Sequence, residues 1–137
     1  ASGGFVRVIG DPRGAERDAK RVLLCAGKVY YDLAAYRRDR GREDVAIVRI
    51  EQFEPLREET LAGVLAPYPD GTPVCFVQEE PANMGAACWL RQRFGSDRLL
   101  GRWPLSVVAR PPSSSPATGS HRSHQAEQAD LLQRAFE

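Results

Sequence analysis

Apolar positions along this chain fall into two kinds of pattern. Val22 to Ala26, Val45 to Ile50, Val74 to Val77 and Leu105 to Ala109 are short, nearly unbroken runs. Lacking the alternation of a half-exposed strand, they fit parallel strands buried on both faces. Between them, apolar residues recur at helical spacing. Val29, Leu33 and Tyr36 stand at i, i+4 and i+7, and Leu61, Val64 and Leu65 mark a second inward stripe. A third helix is predicted from about Gly85 to Phe94, with Ala87, Leu90 and Phe94 inside and Gly95 as its stop. Gln125, Ala129, Leu132 and Phe136 define one side of a closing helix.

The ends of these segments carry the expected signals. Arg37, Arg38 and Arg40 precede Gly41 at the end of the first helix; cations suit the negative end of a helix dipole, and glycine can take the left-handed cap conformation. Glu58 and Glu59 open the second helix, Pro67 closes it, and Pro69-Asp70-Gly71 makes a turn. Strand, helix and strand from Val22 to Ile50 form a βαβ unit. Four strands alternating with four helices predict an α/β fold: an open, mainly parallel sheet flanked by helices. Residues 1–20, with the turn signal Asp11-Pro12-Arg13-Gly14, read as a linker or N-terminal arm in which Phe5 to Ile9 would pair as an edge strand. Residues 21–137 form a single domain. Pro111 to Ser120 is polar and turn-rich, but the helix after it implies a loop ordered by packing.

Totals narrow the classes. A chain of 137 residues supports one domain with a real core. Its net charge of +1 gives no global reason to expect nucleic acid or an anionic membrane as partner. No apolar run approaches the roughly 20 residues of a membrane span. Ala1 to Gly14 lacks the apolar core of a signal peptide, and the first residue is not Met, as in a piece of a longer chain. Cys25, Cys75 and Cys88 form no Cys-x-x-Cys pair and read as small buried hydrophobes in a reducing compartment. Usage rich in Arg and Ala favours a bacterial cytoplasm over a mitochondrial matrix.

In open α/β sheets, ligands gather beyond the carboxyl ends of the strands. Here those ends are Gly27-Lys28, Glu51-Gln52, Gln78-Glu79-Glu80-Pro81 and Arg110. Gly27-Lys28 joins a strand to a helix N-terminus, a setting that attracts anions. A dipole contact supplies about 0.3–1 kcal/mol, whereas micromolar binding needs roughly 8 kcal/mol. Lys28 would therefore need Arg49 and other groups, and an ordinary tight turn is the simpler reading. Neither GxGxxG nor GxxxxGK[ST] is present. His121 and His124, three apart, make a poor zinc site without carboxylate or thiolate support, and two histidines assemble no convincing catalytic triad. Glu79 and Glu80 could serve as acid and base, but neighbours on an extended segment point apart; ion pairing across an interface suits them better. The run Arg37 to Arg42 reads as a solvated helix end.

Four stretches in order, LLCAGKVYYDL, REDVAIVRIEQ, QEEPANMGA and RPPSSSPATGSHRSHQAEQ, resemble the C-terminal domain of 2-oxoglutarate dehydrogenase, the thiamine-diphosphate-dependent decarboxylating component. The likeness runs from about Val22 onward. It departs from the family at EQFEPLR, where relatives carry an aromatic and a second proline, and at RPPSSSPATG, where they often read RPASASPATG. The resemblance implies a fold like the transketolase C-terminal domain. It also implies a larger parent enzyme that decarboxylates 2-oxoglutarate with thiamine diphosphate and magnesium, neither bound by this chain alone. The parent passes succinyl to the lipoyl arm of the dihydrolipoyl succinyltransferase component. No catalytic residue falls in this chain on that view. Gln78, Glu79, Glu80, Asn83, Met84, Gly85, Thr118 and Gly119 become candidates for docking against the enzyme's remaining domains and its homodimer partner. Lys28, Arg49 and Glu51 become candidates for an AMP or acetyl-CoA effector. The alternatives are the equivalent domain of a 2-oxoadipate or other thiamine-dependent dehydrogenase, and a stand-alone nucleotide- or CoA-binding module.

Overall fold

A computed structural model describes residues 8–11, 19–51, 56–111 and 121–137, with no side-chain description for 121–123. In chain order the elements are β1 (Val8–Ile9), β2 (Arg21–Cys25), α1 (Val29–Arg40), β3 (Val45–Ile50), α2 (Glu58–Leu65), β4 (Val74–Pro81), α3 (Gly85–Phe94), β5 (Arg98–Leu99), β6 (Trp103–Arg110) and α4 (His121–Ala135). The strands form one sheet in the order β1-β3-β2-β4-β6-β5. The four inner strands run parallel, and the two-residue strands β1 and β5 pair antiparallel at its margins. The open α/β sheet flanked by helices is thus as the sequence implies, with one short strand, β5, added to the four expected inner strands and the expected edge strand, of which Phe5 to Arg7 lie outside the described residues. Val8 and Ile9 supply the edge pairing, opposite Ile50 and Arg49.

The unbroken apolar runs are explained by two cores, one on each side of the sheet. Val22, Leu24, Ala46, Val48, Val74 and Phe76 point to one face, where α2 and α3 bring Leu61, Leu65, Ala87, Leu90 and Phe94. Leu23, Cys25, Val45, Ile47, Cys75 and Val77 point to the other, beneath Val29 and Leu33 of α1 and Leu131, Ala135 and Phe136 of α4. Successive strand residues alternate sides, so a strand covered twice must be apolar throughout.

Three expectations are corrected. The inner face of α4 is turned by about one residue, because Leu131 is fully buried while Gln125 and Ala129 are exposed. Adjacent Leu131 and Leu132, with alanines on several sides, leave the stripe ambiguous by periodicity alone. The Arg37 to Arg42 run is not simply a solvated end. Arg37 is buried and donates from Nη1 to Asp11 Oδ2 at 2.6 Å and to the Val45 carbonyl at 3.1 Å. Arg42 ties the Phe136 carbonyl to the Asp44 carboxylate. Gly41 does close α1 in the left-handed conformation, its N–H directed at the last-turn carbonyls. Finally, Cys25 and Cys75 are buried as expected, but Cys88 lies on the exposed side of α3.

Candidate functional site

β2 and β4 are neighbours, yet the chain leaves β2 for α1 on one face and β4 for α3 on the other. Connections diverging from adjacent strands open a crevice at their carboxyl ends. Lys28 follows β2 there and sits at the N-cap of α1. Its Nζ lies 3.0 Å from both carboxylate oxygens of Glu79 on β4. Glu79 is held from behind by Gln128 of α4, whose Nε2 donates to Glu79 Oε2 at 3.1 Å and to Asp32 Oδ2 at 2.8 Å. Gln128 Oε1 accepts from Arg110 Nη2 at 2.6 Å. Arg110, at the end of β6, also lies 3.5 Å from Glu127 and has its Nη1 3.0 Å from His124 Nδ1. One polar chain therefore joins the ends of β2, β4 and β6 to α1 and α4.

Beyond β3, Arg49 Nη2 meets Glu51 Oε2 at 2.9 Å, and its guanidinium lies over the rings of Tyr30 and Tyr31, 4.4 and 5.5 Å from their centroids. The Nε atoms of Arg49 and Arg110 are buried with no hydrogen-bond partner among the described residues. A buried donor of that kind is uncommon and marks a place where an acceptor would be welcome. The positive charge of Arg49 also faces Cys25, but burial dominates and pushes that thiol up to about 12; it is a packing residue.

The QEEPANMG stretch is shaped by one side chain. Gln78 is buried, and its Nε2 donates to the carbonyls of Glu80, Pro81 and Met84 while its Oε1 accepts from the Ala87 N–H. Its amide is fully used, so Gln78 braces this surface from within. Gly85, at positive φ, passes close by: a Cβ there would meet Gln78 Oε1 and Glu80. Glu80 and Asn83 are exposed. Met84, with Tyr31 of α1, is one of two large apolar side chains left exposed among the described residues. Glu79 and Glu80 do not work as a pair: the first is spent on Lys28 and Gln128, the second points to solvent. Thr118, Gly119 and Gln52 lie outside the described residues, as does the His121 side chain.

Sequence reasoning placed Lys28, Glu79 and Arg110 on this rim but missed Gln128 and Asp32. The signal for Gln128 was available: with the inner face of α4 set by Leu131 and Ala135, positions 124, 127 and 128 fall on the same side.

The family model described as 2-oxoglutarate dehydrogenase C-terminal matches residues 1–136. The chain belongs to this family. It is 37% identical over 137 residues to the 2-oxoglutarate dehydrogenase E1 component of Cupriavidus necator, covering 99% of this chain and 14% of that protein. It is 44% identical to the Azotobacter vinelandii E1 component, covering 92% and 13%, and 39% identical to the mitochondrial 2-oxoglutarate dehydrogenase of Caenorhabditis elegans, covering 96% and 13%. The chain thus spans about one-seventh of the relatives it matches. Among solved structures, transketolase from Pichia stipitis superposes with a TM-score of 0.50 at 18% identity, over 95% of this chain and 17% of that one. That likeness supports the fold of the transketolase C-terminal domain. No helix among the described residues is long and apolar enough to cross a membrane.

Proposed function

We propose that this family member is the assembly and regulatory lobe of an enzyme that oxidatively decarboxylates 2-oxoglutarate and passes succinyl to a lipoyl group. The observation that carries the reading is the match along almost the whole chain to about one-seventh of E1 proteins named for that activity. Thiamine diphosphate with magnesium would supply the electron sink for decarboxylation. Among the described residues, however, no three His, Cys, Asp or Glu side chains come together as metal ligands. No chemical step is assigned to this chain.

In this reading, Glu80, Asn83, Met84 and Gly85, with Thr118 and Gly119, seat the remaining domains of the enzyme and its homodimer partner. Gln78 holds their backbone in shape, and Glu79 contributes through its ion pair. Exposed Met84 and Tyr31 support such a surface, since large apolar side chains at a polar rim are commonly covered in an assembly. Lys28, Arg49 and Glu51 receive an anionic effector such as AMP or acetyl-CoA. The exposed Lys28 ammonium and the Arg49 guanidinium are cations that suit a phosphate. A bacterial cytoplasm is the setting, with the dihydrolipoyl succinyltransferase component as acceptor partner.

The test is reconstitution. The chain alone, given 2-oxoglutarate, thiamine diphosphate and magnesium, should show no turnover, and its deletion from the full-length polypeptide should abolish dimerisation and activity together. Turnover by the chain alone would refute the reading.

A further inference from the structure

We draw no further inference here: the strongest candidate, the exposed apolar pair of Tyr31 in the first turn of α1 and Met84 in the turn between β4 and α3, belongs to the strand-end rim already described, and nothing in the structure shows what covers it.

Discussion

Asp11 Oδ2 accepts from Arg37 Nη1 at 2.6 Å and from the Ile47 N–H at 2.8 Å, joining the segment after β1 to the end of α1 and the middle of β3. Both side chains are nearly out of solvent, 1% exposed for Asp11 and 11% for Arg37. Removing one member of such a pair leaves the other charged and buried. Asp11→Ala should therefore lower unfolding free energy by roughly 3–5 kcal/mol, measured by urea denaturation. A loss below about 1 kcal/mol would mean that solvent reaches Arg37 and the pair is superficial.

The inner face of α4 can be checked by paired truncations. Leu131 is fully buried against the α1 side of the sheet, and Leu132 is only half-buried. Leu131→Ala should cost about 2–5 kcal/mol, and Leu132→Ala about 1 kcal/mol. Equal costs would place the helix in a different rotation.

Thiol chemistry should sort the three cysteines by depth. Burial raises the pKa of both Cys25, to about 12, and Cys75, and the thiolate is the reactive form. Cys88 is exposed. Alkylation of native protein near pH 8 should label Cys88 alone by mass spectrometry, with the other two appearing only in denaturant. The sign for stability follows: thiols whose folded pKa is raised stabilise fully below the unfolded value, and that contribution is lost as pH climbs toward 12. Early labelling of Cys25 would show that the sheet opens beneath α4.

Acid should release a different contact. Arg42 Nε and Nη2 reach the two Asp44 oxygens at 3.0 and 3.2 Å and hold the carboxyl below its ordinary value. A depressed folded pKa stabilises above the unfolded value, near 3.9, and the gain disappears as pH falls through the folded one. Asp44→Asn should be less stable than wild type at pH 7, with the gap closing below about pH 4. Because a third of the side chain is exposed, the gap should be small and shrink with salt. A gap unchanged at pH 2 would trace the effect to packing.

Gln78 offers a test at the rim. Gln78→Ala strips the Ala87 N–H of its acceptor and three carbonyls of a donor, for an expected loss of about 1–3 kcal/mol. Hydrogen exchange should quicken at Met84 to Ala87. Unchanged exchange there would show that the loop holds its shape through the backbone alone.

What could be read without coordinates was whatever local pattern dictates. Val45 to Ile50 and Gly85 to Phe94 are the observed β3 and α3 because an apolar run or a bounded helical stripe has one economical solution. Relations between distant residues were not legible. Nothing in the arginines after Tyr36 says that Arg37 turns inward, because its partner Asp11 stands on the far side of β2 in sequence. Helical spacing could put Gln128 on the inner side of α4 but could not show its role: a glutamine on a helix becomes a hub only when three strand ends arrive beside it. The rim itself was readable, because strand ends follow from strands; its wiring was not.

β2 is sandwiched by β3 and β4, but β4 is translated only after β3 and α2. A nascent chain that has released β1 to β3 therefore carries β2 with one naked hydrogen-bonding edge. On the face of Leu23, Cys25 and Ile47 it has only α1, because the second covering helix, α4, follows β6. At about 5–20 residues per second, that sticky half-sheet is on display for seconds at the ribosome exit. The order of strands thus leaves β2 paired on one side only until β4 has been made, however stable the lobe is once closed.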